Sequence, residues 1–135
     1  METVSLCLGR LAVTAFFAVA FLQSGVDKIL DRKGNLDYFT VHFAQSPLRD
    51  VVPALFWIIT VLETLTGLCC ALGALLVLIG FGTHVALFGI ALALLSLFCL
   101  FVGQRLAKDY AGAAILAAYY AVALLGLVLL GWKTA

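Results

Sequence analysis

Charge is what this sequence has least of: eight lysines or arginines and seven aspartates or glutamates in 135 residues. Instead, 65% of the chain is hydrophobic, and its mean hydropathy is +1.20. A soluble domain of this length cannot cover such a composition with polar surface, so the class is integral membrane protein. A net charge of +1 leaves no basic footprint for nucleic acid. Proline is nearly missing too, with only Pro47 and Pro53, and nothing reads as a flexible linker or low-complexity tail. One domain, 1–135, is the count that follows. Four cysteines, Cys7, Cys69, Cys70 and Cys99, fall inside apolar runs without a C-x-x-C spacing, which removes the usual redox or metal pattern. Cys69 and Cys70 point to different helix faces, so all four thiols read as small apolar residues. Neither a phosphate loop nor a Ser/His/Asp arrangement occurs, and no spacing suits a metal, haem or flavin.

What the chain does have is four long apolar runs. They predict an all-α membrane protein, a four-transmembrane-helix bundle with spans near 5–25, 52–79, 84–102 and 110–132. The first is apolar from Leu11 to Leu22, and Ala18-Val19-Ala20 resembles a signal-peptidase site. No positive charge precedes Arg10, so this stretch is read as a retained span. Along it Arg10, Thr14, Phe17, Phe21, Ser24 and Lys28 follow the spacing of one helix face, with the two cations at opposite membrane edges. Both can snorkel to the headgroups.

Segment 31–50 is the long connection, expected to carry a short interfacial helix between spans one and two. Asn35 is a candidate cap, Leu36, Phe39 and Phe43 share one side, and Ser46-Pro47 ends it. His42 reads there as an interfacial polar residue. Pro53 sits where the second span can begin, and Gly80-Phe81-Gly82-Thr83 predicts a tight antiparallel return. The third span offers few polar atoms, chiefly Ser96 and Cys99. A polar turn, Gly103 to Lys108, leads to Asp109 as cap of the fourth span. There Ala111, Ala114, Ala118 and Ala121 form a smooth stripe suited to close packing.

Glu63 is the one charged side chain between Val51 and Gly80. About ten residues beyond Pro53, it lies roughly 15 Å deep, near the midplane. A carboxylate there is expensive and is a functional-site hypothesis by default. Gly67, Cys70, Ala71 and Ala74 share its face, so a neighbouring helix can come close. Two polar clusters are within reach of the apolar core. Gln23, Lys28, Gln104, Arg105, Lys108 and Asp109 gather by depth on the loop-rich side, and Arg10 and His84 share a level on the other. Arg10, about 7 Å inside its span, is a candidate partner for Glu63, as are Tyr119 and Tyr120. The ligand-binding candidates are therefore Arg10, Lys28, Glu63, His84, Lys108 and Asp109, with Glu63 the candidate catalytic group. No metal is expected and no cofactor is predicted, although a quinone head would fit.

Six cations, Lys28, Arg32, Lys33, Arg49, Arg105 and Lys108, fall on the side of loops 26–50 and 103–109, against Arg10 and Lys133 on the other. The positive-inside rule then makes those loops cytoplasmic and puts both termini outside.

Several short motifs together resemble the DoxX family of small four-span membrane proteins. They are Gly9-Arg10, Phe21…Gly25…Asp27-Lys28, Ser46-Pro47-Leu48, Glu63 with Gly67 and Gly73, and Lys108-Asp109. Where many relatives carry an arginine after the second span, this chain has Thr83-His84. The resemblance implies a bacterial inner-membrane protein linked to membrane redox assemblies, the family being named after a subunit of a thiosulfate:quinone oxidoreductase. The function expected is an accessory, non-catalytic subunit that packs in the bilayer against other membrane subunits of a redox-linked complex. The alternatives are a quinone-reactive subunit using Glu63 with Arg10 or Lys28, and a small-solute or lipid-binding protein.

Overall fold

The computed structural model describes residues 2–133, with Glu2 described by its backbone alone. It holds five α-helices, α1 (Glu2–Leu30), α2 (Arg32–His42), α3 (Val52–Leu78), α4 (His84–Leu106) and α5 (Tyr110–Gly131), and a short 3-10 turn at Arg49–Val51. All but α2 are long and apolar enough to cross a membrane. The backbone logic is that of lipid, where every amide must find its partner inside its own segment. The four-helix bundle with a short helix between spans one and two is the observed architecture.

Element ends differ from the sequence reading in places. Helix α1 starts earlier, at Glu2, and takes the longer of its expected ends, Leu30, while α4 continues to Leu106; neither Val26–Leu30 nor Gly103–Leu106 contains a proline. Helix α2 starts earlier than an Asn35 cap would allow. Its cap is Asp31, whose Oδ1 accepts from the Gly34 amide at 3.2 Å. Asn35 lies inside α2 and donates from Nδ2 to the Asp31 carbonyl at 2.8 Å. Pro53 occupies the first turn of α3, where a missing N–H leaves no hydrogen bond unmade.

Helix α3 is the middle of the bundle, packed on α1 along one side and α4 along the other; α5 leans mainly on α4. The predicted polar-and-aromatic stripe of α1 is its buried face, with Thr14, Phe17, Phe21 and Lys28 all inside. Phe17 and Phe21 meet Cys70 of α3, Ile90 and Ala93 of α4, and Ala123 of α5 in one core. Lipid tails are as apolar as leucine, so this core is held by close fit rather than by exclusion of water. The fit depends on glycine at two crossings. A Cβ on Gly67 would lie 2.6 Å from the Leu22 nitrogen, and one on Gly73 would lie 2.5 Å from Ala86 Cα. Ser96 is one of the few polar groups of α4, and its Oγ lies 3.1 Å from Thr66 Oγ1 across the α3–α4 contact.

Two helices end in the same motif with different residues. At the end of α3, Gly80 N–H bonds to Val77 O and Phe81 N–H to Leu76 O, with Gly80 at φ 81°. At the end of α4, Lys108 N–H bonds to Arg105 O and Asp109 N–H to Gln104 O, with Lys108 at φ 59°. Both are Schellman caps, whose turning residue is usually glycine. A side chain in the left-handed region costs about 1–2 kcal/mol, so Lys108→Gly is expected to stabilise the bundle by about 1 kcal/mol. Unfolding in mixed detergent–dodecyl sulfate micelles reads this, and a loss of stability would count against it. Asp109 then caps α5 as expected, Oδ1 accepting from the Gly112 amide at 2.9 Å.

Candidate functional site

Glu63 lies on the α1 side of α3 and is buried, its side chain 3% exposed. The α1–α3 register is antiparallel, with Gly25 against Thr64 and Leu22 against Gly67. That register brings Lys28 within about half a turn of Glu63. Lys28 Nζ sits 2.8 Å from Glu63 Oε2. Ser24, one turn before Lys28, donates from Oγ to the same oxygen at 3.1 Å and accepts from Lys28 Nζ at 2.8 Å. The three groups form a closed triangle on Oε2.

Lys28 therefore does not snorkel. Only 10% of its side chain is exposed, and its ammonium lies 5.8 Å from the centroid of the Phe39 ring of α2. This aromatic lid adds a cation–π contact to a largely buried ammonium. Two glycines make the depth possible. A side chain at Gly25 or Gly67 would push α1 off α3 and draw the ammonium away from the carboxylate.

Arg10 goes elsewhere. Its Nε donates to the Leu129 carbonyl at 2.8 Å and its Nη2 to that of Trp132. Those are free acceptors at the end of α5, where a cation also meets the negative end of the helix dipole. Arg10 thus ties α1 to α5 at the end carrying both chain termini, and Glu63 has Lys28 rather than Arg10 as its cation. Among the described residues neither Tyr119 nor Tyr120 bonds to Glu63; Tyr119 stacks on Phe16 with ring centroids 5.9 Å apart. His84 is exposed at the start of α4, and Lys108 is exposed in its turn.

A second polar group forms at the loop end; sequence reasoning gathered Gln104 and Asp109 by depth but read His42 apart from them, as an interfacial residue. His42 Nε2 of α2 lies 2.6 Å from Gln104 Oε1 of α4 and 3.7 Å from Asp109 Oδ2. Tyr38 stacks on the imidazole. The signal available was weak: a histidine one turn after Tyr38, with no spacing that names Gln104 as its partner.

Chemically, the Glu63 triangle is a clamp. Its carboxylate oxygen accepts an ammonium and a hydroxyl, and its location is the α1–α3 seam. Neither the groove between α3 and α4 beneath α2 nor the shallow seam between α1 and α5 has Glu63 or Lys28 in its wall. No three His, Cys, Asp or Glu side chains come together among the described residues as a metal site would require. Family models, curated proteins and solved structures give no match to this chain.

Proposed function

We propose that this chain is an accessory subunit of a larger membrane assembly, with its own charged interior serving to hold the bundle together. The observation that carries the reading is the outward face of α5. Ala111, Ala114, Ala118 and Ala121 are all exposed, while Ala113, Ala123, Gly126 and Leu130 form the buried side of the same helix. A surface meant only for lipid gains nothing from small residues, whereas a partner helix approaches closely over them. The closed Lys28–Ser24–Glu63 triangle supports the same reading, since it satisfies its own members.

The DoxX-like motifs point to a redox-linked complex of a bacterial inner membrane. The six cations of the α2 end favour a cytoplasmic location for that end and an external one for both termini. The test is extraction of the full chain from native membranes in mild detergent. A membrane protein is expected to co-purify in fixed ratio, and Ala114→Leu with Ala118→Leu is expected to lower its recovery at least tenfold. A monodisperse monomer with no companion subunit would sink the proposal.

A further inference from the structure

Beneath α2 the outer faces of α3 and α4 part to leave a cavity of about 380 Å³, inside the roughly 300–1,000 Å³ range of ligand pockets. Phe56, Ile59 and Leu62 of α3 and Phe98 of α4 line it, with Phe39 of α2 and Phe43 just past its end as a roof. The wall is hydrocarbon and aromatic except at the loop end, where His42 and Gln104 join α2 to α4. Helix α2 has no buried residue; this polar clasp, the ring contacts and the bonds from Asn35 Nδ2 to Asp27 of α1 hold it to the bundle. With α2 lying over the groove, a flexible chain fits beneath it and a full transmembrane helix does not.

The charge at that end selects a head group. Asp50 is engaged by Arg49, 3.8 Å away, and Asp109 by the Gly112 amide. Arg105 and Lys108 contact no carboxylate among the described residues; Arg105 lies 4.5 Å over the Tyr110 ring, and Lys108 is exposed. At this end of α4 two cations, Arg105 and Lys108, stand against the single carboxylate of Asp109. We infer that this groove holds an acyl chain of one anionic phospholipid, with the phosphate at Arg105 and Lys108, and that the lipid docks α2 onto the bundle. The proposal does not rest on the accessory-subunit reading.

The experiment uses the full chain, stripped of lipid in detergent and offered dioleoylphosphatidylglycerol or dioleoylphosphatidylcholine, with retained lipid counted by native mass spectrometry. One phosphatidylglycerol per chain is expected, held at least tenfold more tightly than phosphatidylcholine. Arg105→Gln with Lys108→Gln is expected to abolish that preference, and Leu62→Trp, which fills the groove, to lose both lipids. Because Leu62→Trp can disturb folding, the wild-type chain is also photolabelled with a phosphatidylglycerol carrying a diazirine in its acyl chain. Adducts are expected in the Tyr38–Phe43 and Phe98–Gln104 peptides. Equal retention of the two lipids, adducts confined to other helices, or displacement of the lipid by a prenyl quinone would overturn the inference.

Discussion

Lys28→Met is expected to destabilise the bundle by about 3–5 kcal/mol, the usual cost of leaving one partner of a buried ion pair behind. Glu63 is short, lies well inside α3 and pairs with no other cation among the described residues. Ser24 alone would then face its carboxylate, 3.1 Å from Oε2. The converse change, Glu63→Leu, is expected to cost less. Lys28 is two residues from the end of α1, and its long side chain can turn towards the headgroups once released. The double variant Lys28→Met/Glu63→Leu is expected to recover most of the loss, since apolar replacement of a whole buried pair is often neutral or stabilising. Unfolding in mixed micelles gives all four corners of the cycle. A Lys28→Met variant within 1 kcal/mol of wild type would refute the clamp, as would a double variant no better than that single one.

The second large effect is steric. Alanine in a helix is favoured over glycine by about 1 kcal/mol, so glycine-to-alanine changes on these spans divide by what the new methyl meets. At Gly9 the nearest atom is Leu129 Cδ1 at 3.5 Å, an ordinary contact. Gly9→Ala is expected to gain up to about 1 kcal/mol. At Gly67 and Gly73 the obstacles are backbone atoms of Leu22 and Ala86, which cannot rotate aside. Overpacking of this kind costs about 1–3 kcal/mol and occasionally more. Gly67→Val and Gly73→Val are therefore expected to lose at least 2 kcal/mol relative to Gly9→Ala. Gly67→Val should also be non-additive with Lys28→Met, because separating α1 from α3 stretches the ion pair that the other change removes. Additive losses would show that the glycine crossing and the clamp are independent.

How far the sequence carried these conclusions varies by residue. The four spans were legible because each apolar run is long, and Pro53 and Asp109 were legible because proline and a carboxylate have few other uses at a helix start. The partner of Glu63 was not. Helical spacing put Arg10 and Lys28 on one stripe of α1, yet spacing does not say which neighbour each end of a stripe meets. Gly25 and Gly67 decide that, by fixing the α1–α3 register, while α5 covers the other end and captures Arg10. Likewise, the alanine stripe of α5 was visible as a stripe, but α5 is apolar on every side. Which side faces inward depends on α4, and here the stripe faces out. The Asp31 cap displaced Asn35 because both residues suit the role and the choice turns on where α1 ends.

The clamp also constrains the order of events in synthesis. Lys28 and Glu63 are 35 residues apart, so at about 5–20 residues per second the cation precedes its partner by roughly 2–7 s. Over that interval α1 is without α3 and carries a charge that hydrocarbon disfavours by about 2.5–3.5 kcal/mol at a helix centre. Lys28, near the segment's end, can keep its ammonium among the headgroups until α3 arrives and then be drawn inward. Helix α1 is thus inserted at one depth and finished at another, and the arrival of Glu63 marks the change.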